Sequence, residues 1–507
     1  MAKKAKRREK KGAAAPARPQ AAYEAARPSI YRKGERERGS GNTAVLRAGT
    51  SLREQARHLE QNLDLARGVL DVLVRNTVGT GIGVDPQPRD RKGNIHRGLL
   101  WDLTKLWADF CRRPEVTWQH DMGSAERILA RTWFRDGEAF GQLLAGPVAT
   151  LDHGTRVPLS IEMLEPDLVP FDALTPAGSD AAAVVMGVEI NGWNRPVAYR
   201  VYKQHPADVI LQANVGETKR LPASRALHVK LADRIGQLRG VSVFASVMSR
   251  FEDLKDLEES ERIAAKVAAS MAAYIKKGEP GEYQAPDSET GERQMRMRAG
   301  MIFDDLRPGE DIGTIDTKRP NTQVAVWRQE QLRALAAGVG TSFSSAAKNY
   351  DGTYSAQRQE LVEQWGAYQI LSAEFISRWT RPIYEAFVRA AVAANLVRIP
   401  RGLDLDTLFD AVYIAPQMPW IDPLKEAESW ALLEDRAYAS GPEIVRKRGG
   451  SPYDVLDQQA RWLEDKRESG VPPAGAPQQP TDPEDPPEPN ARTRGSRTRG
   501  ERTRSNE

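Results

Sequence analysis

The amino-acid sequence predicts an α+β protein that is mainly helical. Apolar residues recur at three- and four-residue spacing through much of the chain, and residues 242–277 contain neither glycine nor proline. Between residues 158 and 231 the spacing shortens toward two, which is typical of strands. The chain has 507 residues, 40% of them apolar, which suits two to four packed units around a substantial core.

The first folded part is expected at residues 46–241, after a basic arm at 1–45 that lacks periodicity and predicts disorder. Ser51–Glu54 has the pattern of a capping box and predicts the start of the first helix. That helix should end at the glycine-rich residues 76–83, and Asn191-Gly192 is a strong hairpin signal. Further helices are expected at 100–110 and 124–134, and strands at 139–144, 160–164, 183–190, 197–202 and 227–231.

Residues 242–277 are the most distinctive segment, since as one helix they would reach roughly 50 Å. Lys255 and Glu259 lie at the i,i+4 spacing of helical ion pairs, and so do Glu258 and Arg262. The second half is alanine-rich, which permits close helix approach. A helix that is polar nearly all round cannot lie in its own domain's core, so it must bridge domains or pack against copies of itself.

The helical pattern is lost over residues 278–325 and returns at 326–338. A loop rich in serine, asparagine and glycine follows at 339–354. Residues 355–469 are helical again, with a kink expected at Pro382. Short strands are expected at 301–303 and 312–315.

The end of the chain, residues 470–507, predicts a disordered tail. It contains a proline-rich stretch followed by the repeat RTRGS, RTRGE, RTRS. The Arg repeat could touch phosphates or an acidic partner, or it could serve only for solubility.

The net charge of +4 is distributed unevenly. Residues 1–12 carry +6, residues 492–507 carry +4, and the proline-rich residues 477–491 carry −4, so the body between 13 and 476 carries −2. A body that gripped nucleic acid by neutralising phosphates would show the opposite arrangement.

Composition also bears on the compartment. No run of about 18 uncharged apolar residues predicts a membrane span, and the basic N-terminus lacks the apolar stretch of a secretory signal. Cys111 is the single cysteine, which excludes an internal disulfide framework and favours a reducing compartment. We therefore expect a soluble intracellular product.

Residues suited to catalysis do not form a recognisable motif. The six histidines are scattered singly, without the spacing of metal ligands. Asp304-Asp305 and Glu310-Asp311 could hold a metal for a nuclease, but acidic residues are common in such turn-rich sequence. Cys111 is expected to pack behind Trp107 and Phe110 rather than to act as an activated thiol. The sequence therefore predicts no enzyme, cofactor or metal.

One tryptophan is predicted to be exposed. Most of the eleven lie in helical patterns, where core packing is expected. Trp193 lies at the tip of the predicted hairpin beside Asn191-Gly192. An exposed indole marks a partner contact in many proteins, so Trp193 is a candidate contact.

Nine strings in order between residues 76 and 426 together resemble the portal proteins of tailed phages, in the lambda-type branch. No single string is specific, but their order is. The strings are residues 76–82 (NTVGTGI), 136–139 (DGEA), 164–167 (LEPD), 187–199 with His205-Pro206, 226–229 (ALHV), 236–242 (GQLRGVS), 306–310 (LRPGE), 332–340 with 350–358, and 420–426 (WIDPLKE).

This resemblance implies a ring, usually of twelve copies, at one capsid vertex. Double-stranded DNA would be packaged through it by the terminase large subunit and later ejected. The other implied partners are the major capsid and scaffold proteins and the head-completion or tail connector proteins, with no membrane. The ring would assemble in the host bacterial cytoplasm and reside in the virion.

The resemblance also gives the segments names. It implies a wing at 46–241, a stem helix at 242–277, a clip at 278–325, a second stem helix at 326–338 and a tunnel loop at 339–354. Residues 355–469 would form the C-terminal wing and crown helices. In the stem, Lys255, Glu258, Glu259 and Arg262 become candidates for contacts between subunits.

A conduit must let DNA slide, so a strongly basic wall would retard translocation. The mildly acidic body fits this requirement. The candidate channel residues of the loop are Ser342, Ser344, Ser345, Lys348 and Asn349. Lys348 is the expected cationic contact to DNA, and Arg358 is a candidate for a salt bridge between subunits. The Tyr-Ser-Ser-Ala-Arg motif of the family reads Tyr-Ser-Ala-Gln-Arg at residues 354–358, so its second serine is lost.

Two other functions remain open at this point. A head–tail adaptor or scaffold would share the helical architecture without contacting moving DNA. A metal-dependent packaging nuclease would use the carboxylates near 304–311.

Overall fold

The computed structural model describes residues 37–176, 178, 182–208, 216–269, 273–277, 310–314, 323–419 and 422–469. The helices are α1 Gly41–Asn62, α2 Asp64–Thr77, α3 Arg97–Phe110, α4 Met122–Asp136, α5 Met248–Ala269, α6 Gln323–Val339, α7 Phe343–Ala347, α8 Tyr354–Phe375, α9 Arg381–Ala393, α10 Pro423–Asp435, α11 Gly441–Lys447 and α12 Pro452–Glu468. The strands are β1 Gly83–Pro86, β2 Glu138–Ala145, β3 Leu159–Leu164, β4 Ala183–Val185, β5 Val188–Ile190, β6 Pro196–Tyr202, β7 Thr218–Pro222, β8 Ala226–Lys230, β9 Ala273–Lys277, β10 Glu310–Thr314 and β11 Ala411–Ile414. The predicted fold class, α+β and mainly helical, is confirmed.

Helix α1 begins ten residues before the predicted capping box. The Ser40 side chain accepts a hydrogen bond from the Thr43 backbone N–H at 3.2 Å and caps the helix there. The prediction of a start at Ser51, and of an arm reaching residue 45, is therefore wrong. The capping-box pattern also occurs inside helices. Gly49 is the single glycine between Ala44 and Leu52, no proline occurs there, and α1 continues through this stretch.

Two antiparallel sheets form the β part of the wing. Strands β3, β2 and β8 form one sheet in that order, and β4, β5, β6 and β7 form a meander. The predicted strand at 183–190 is split into β4 and β5, because Met186 and Gly187 both have positive φ and form a tight turn. Strands β7, β1 and β11 were not predicted, since they are short and lack a clear alternation.

The predicted stem helix is shorter than its glycine-free sequence indicates. It spans 248–269 rather than 242–277, and residues 273–277 form β9, which pairs antiparallel with β10. The partner strand lies more than 30 residues away along the chain, so the local pattern could not reveal this pairing. The remainder of the predicted clip, including 301–303 and Asp304-Asp305, lies outside the described residues.

Helix α6 runs antiparallel to α5. Ion pairing joins Glu258 to Arg328 at 2.6 Å, and the Arg250 guanidinium donates to Gln331. Gly338 permits the close approach, since a Cβ there would lie 2.4 Å from a Val247 methyl carbon. The second stem helix was predicted at 326–338 and extends slightly further at both ends.

The long C-terminal helix is interrupted, as predicted, but the break precedes Pro382. Residues 376–380 form a π-helical turn between α8 and α9. Pro382 has no backbone N–H to donate to the preceding turn, and its ring would clash with that turn. The wider π-helical turn at 376–380 therefore lies where a regular α-helical hydrogen bond could not form. Helix α9 then packs Tyr384 and Phe387 against Trp107 of α3 with ring centroids 5.0–5.5 Å apart.

The main hydrophobic core lies between α2, α3, α4, α8, α9 and the three-stranded sheet, and a smaller core lies against the four-stranded sheet. Trp133 and Trp379 are completely buried in the main core. Within the described ranges, no helix combines the length and apolarity needed to cross a membrane.

Candidate functional site

A buried ion network surrounds Glu138 at the start of β2. Its carboxylate lies 2.7 Å from the Arg239 guanidinium and 3.2 Å from that of Arg53. The other carboxylate oxygen accepts hydrogen bonds from the Gly240 backbone N–H at 2.9 Å and from His228 Nε2 at 3.1 Å. Because all four side chains are buried, each charge depends on the others for compensation.

Protonation in this network follows from its packing. Burial alone would raise the pKa of Glu138, but the charge of Arg239 and the bond from His228 hold that pKa well below its usual range. Burial lowers the pKa of His228 to about 4. Neutral His228 therefore donates its Nε2–H to Glu138, and its Nδ1 accepts from the Tyr199 hydroxyl at 3.4 Å.

Arg239 ties the two sheets of the wing together. Its remaining donors bond to the carbonyl oxygens of Pro166, Val169 and Met186 at 2.7–3.2 Å. Its guanidinium also lies over the Phe171 ring, 4.2 Å from the centroid. The side chain is thus the common contact of β2, the 166–171 segment and the turn before β5.

The network explains several of the recognised strings. Glu138 belongs to DGEA, Asp167 to LEPD, His228 to ALHV and Arg239 to GQLRGVS, and tertiary structure brings all four together. Asp167 joins through Arg53, at 3.4 Å, and through Arg57. The glycines of two strings are required as well, since a Cβ on Gly240 would lie 2.0 Å from the carbonyl oxygen of Gly137. Each string could be read from the sequence separately, but no sequence pattern indicated that their charged residues contact one another in the folded protein.

A second buried carboxylate, Glu126, joins three distant segments. It accepts hydrogen bonds from the Ile82 backbone N–H at 2.7 Å and from the Thr380 hydroxyl at 2.8 Å. It thereby links the end of the NTVGTGI string to the π-helical turn. Burial raises the pKa of Glu126 to about 7.

Glu126→Gln should change the pH dependence of stability. The raised folded-state pKa means that the folded protein holds this proton more tightly than the unfolded chain, so Glu126 reduces stability as pH rises from about 4.5 to about 7. The neutral glutamine can accept from the Ile82 N–H with its oxygen and donate from its amide nitrogen to the Thr380 hydroxyl oxygen. We expect the variant to gain up to about 3 kcal/mol over the parent at pH 8 and little at pH 5.

Urea unfolding at both pH values measures this difference, with Glu162→Gln in a partly exposed ion pair to Lys219 as the control. Equal stability differences at pH 5 and pH 8 would contradict the assignment.

The predicted tunnel loop contains a short helix. Ser342 is buried and caps α7 by accepting from the Ser345 backbone N–H at 3.3 Å. Ser344 donates its hydroxyl to Glu360 at 2.5 Å, and its backbone N–H bonds to the same carboxylate. Ser342 thus caps α7 and Ser344 holds the loop to α8, so their polar atoms have a structural use that the sequence did not reveal.

The exposed part of the loop begins at Lys348. This residue ends α7 in the left-handed conformation with φ of 53°, and its side chain is exposed. The Asn349 side chain accepts from the Asp351 backbone N–H at 2.9 Å and shapes the turn. Tyr350 and Tyr354 are also exposed, and sequence reasoning did not single out their rings.

Other candidate residues lie on exposed surfaces. Arg358 is exposed and donates to the Tyr354 hydroxyl at 3.3 Å; no carboxylate among the described residues pairs with it in the ion pairs found. On α5, Glu258 pairs with Arg328 of α6 and not with Arg262 as predicted, because the neighbouring helix offers a nearer guanidinium. Arg262 instead contacts Glu259 at 3.5 Å. Lys255 is exposed.

Trp193 is 91% exposed, as predicted. The Asn191 side chain accepts from the backbone N–H groups of Trp193 and Arg195 at 3.0 Å, so a rigid turn presents the indole.

Two features of the described residues bear on reactive chemistry. Burial raises the pKa of the Cys111 thiol, and the side chain packs against the core as predicted. One described group, Glu165, Asp167 and His205, has ligand atoms within 4.8 Å of one another. Asp167 in that group already pairs with Arg53 and Arg57, whose charges oppose a cation.

The antiparallel α5–α6 pair, the serine-rich loop and the two sheets are the elements expected of a phage portal protein. Residues 29–371 match the family described as "Phage portal protein, lambda family". The chain therefore belongs to the lambda family of phage portal proteins. The matched range includes α5, α6 and the predicted tunnel loop, whereas the WIDPLKE string at 420–426 lies beyond it.

Curated relatives agree with the family. A probable portal protein of Halomonas phage phiHAP-1 is 24% identical over 452 residues, covering 87% of this chain and 85% of the relative. Portal protein B of Escherichia phage lambda is 25% identical over 322 residues, covering 57% of this chain and 60% of that protein. A chain from the neck of a native gene transfer agent particle, computed with C12 symmetry, is 14% identical with a TM-score of 0.45, covering 78% of this chain and 92% of that one.

Proposed function

We propose that the protein forms a ring, of twelve copies, at one capsid vertex, and that it is the conduit through which double-stranded DNA is packaged and ejected. The match of residues 29–371 to the lambda portal family carries this proposal. The polar α5 supports it, since a long helix with charges on most faces suits packing against neighbouring copies. The protein performs no catalysis in this role.

The tunnel loop at 339–354 is the proposed channel constriction. Lys348 is the cationic side chain that meets DNA, and Asn349 lies next to it. Ser342, Ser344 and Ser345 hold this surface in place. The Ser342 hydroxyl accepts from the Ser345 backbone N–H, and the Ser344 hydroxyl donates to Glu360. A single cation per copy attracts phosphates without arresting them.

Partner surfaces follow from the same arrangement. Lys255, Glu259 and Arg262 on α5 and Arg358 on α8 contact neighbouring copies. The clip at 278–325 receives the terminase large subunit during packaging, and head-completion or tail connector proteins afterwards. Trp193 contacts a partner on the wing side, where capsid and scaffold proteins meet the ring. The assembly forms in the host bacterial cytoplasm and resides in the virion.

Native mass measurement of the purified protein tests this function. Each chain has a mass of 56.3 kDa, so a ring of twelve should have a mass of about 680 kDa. Low-resolution images of the ring should show a central hole. A stable monomer or small oligomer at micromolar concentration would favour the adaptor or scaffold function instead. Arg358→Glu should reduce the ring fraction, with Arg398→Glu, another exposed arginine, as the matched control.

A further inference from the structure

A basic patch lies on the body, although the body as a whole is mildly acidic. Two chain segments, 87–97 and 398–406, form it. Their backbones are joined, since Arg91 N–H donates to the Gly402 carbonyl at 3.1 Å and Asp404 N–H donates to the Arg89 carbonyl at 2.9 Å. The exposed cations of the basic patch are Arg89, Arg91, Lys92, Arg97, Arg398 and Arg401.

Two of these cations have carboxylates nearby, since Asp90 interacts with the charge of Lys92 and Arg89 lines one cavity with Glu385 and Asp410. None of the six takes part in the ion pairs found among the described residues. Two of the three carboxylates in these segments are engaged by backbone groups: Asp90 accepts from the N–H of Lys92 and of Asn94 at 2.8–2.9 Å, and Asp404 accepts from the N–H of Asp406 at 3.2 Å. The two segments together carry a net charge of +3.

The chain itself contains a complementary stretch. Residues 477–491 carry four carboxylates at 482, 484, 485 and 488 and no cation. They are also rich in proline, which reduces the entropy lost on docking. An acidic segment tethered to the same molecule has a high effective concentration at a basic surface within its reach.

Helix α12 begins beside the basic patch. The Arg97 guanidinium lies over the Tyr453 ring of α12 at 6.0 Å, and Arg446 of α11 pairs with buried Asp85 at 3.2 Å. Helix α12 has 17 residues and spans about 25 Å. The 12 residues between Ser469 and Asp482 can extend by about 40 Å, which is more than the length of the helix. The acidic stretch can therefore return to the surface near which α12 starts.

We propose that residues 477–491 of this chain dock on the basic patch formed by 87–97 and 398–406. Docking neutralises this local positive charge of the body and keeps it from binding DNA phosphates. It also leaves the Arg repeat at 492–507 as the basic element of the tail. The proposal is independent of the ring, because it concerns contacts that one chain can make with its own tail.

Zero-length carbodiimide cross-linking of the full-length protein, read by peptide mass spectrometry, tests this docking. Lys92 is the single lysine of the basic patch. Its amine should form an amide with a carboxylate of 477–491 at least about tenfold more often than exposed Lys255 of α5 does, and about 0.5 M NaCl should abolish the excess by screening. The double variant R91E/R401E keeps Lys92 and the tail, and should lose the excess at low salt.

Three outcomes would overturn the proposal. The first is that Lys92 cross-links no more often than Lys255. The second is that the excess of Lys92 cross-links persists at high salt. The third is that R91E/R401E keeps the parental thermal midpoint and the same excess of Lys92 cross-links. Protection of Lys92 from acetylation by short duplex DNA in the parent, with no cross-link to 477–491, would assign the basic patch to nucleic acid instead. The salt series uses the parent alone, so the test survives even if the double variant fails to fold.

Discussion

Glu138→Gln is expected to lower the free energy of unfolding by about 3–5 kcal/mol, because it removes the charge that compensates two buried guanidinium groups. Arg239 would then face only carbonyl oxygens, and Arg53 would retain only the partly exposed Asp167. Since domains of this kind are stable by about 5–15 kcal/mol, a loss of this size removes a large part of the total. Urea unfolding followed by tryptophan fluorescence measures it through the midpoint at constant slope.

The matched control is Glu217→Gln, which breaks the exposed ion pair with Lys203. Exposed pairs contribute about 0–1 kcal/mol, so the control should unfold close to the parent. If Glu138→Gln also unfolds within about 1 kcal/mol of the parent, the network is not what joins the two sheets. Failure of Glu138→Gln to give soluble protein while Glu217→Gln is soluble would agree with the prediction.

Lys348→Glu should leave ring assembly intact and reduce the yield of DNA-filled particles by about tenfold or more. The side chain is exposed and lies beyond the end of α7, so the fold does not depend on its charge. In the proposed ring of twelve, the substitution would change the channel charge by about 24 units and repel phosphates at the proposed constriction. Phage complementation measures particle yield and packaged DNA, and native mass measures the ring.

Lys105→Glu makes the same change of charge at an exposed position of α3 and serves as the control. Both variants should form rings of parental mass. Equal yields from the two variants would show that Lys348 does not meet DNA. Loss of the ring in Lys348→Glu alone would instead place this residue at a contact between subunits.

Much of the wing and the helical stem could be predicted from local patterns. Hairpin residues Asn191-Gly192 lie between β5 and β6 as expected, and exposure of Trp193 followed from its place in that turn. Hydrophobic periodicity located α3, α4 and α6 within a few residues. Local patterns succeed here because each element buries one face, and the apolar residues of that face recur at the period of the helix or strand.

Boundaries and pairings over long distances could not be predicted in the same way. The stem helix ends at Ala269 because residues 273–277 pair with a strand that local sequence does not reveal. Likewise, Glu258 pairs with Arg328 across two helices, although i,i+4 spacing favoured Arg262. In each case a partner distant in sequence provides a better contact than the nearest one along the chain.

The sequence by itself determined the fold class, the unequal distribution of charge and, through the strings that resemble the family, membership of the lambda portal group. Only the tertiary structure decided why those strings belong together. Glu138 lies 90 residues before His228 and 101 residues before Arg239, and each is an ordinary polar residue in its own segment. A buried charge is stable only when its counter-charges surround it, and that condition is met in space rather than along the chain.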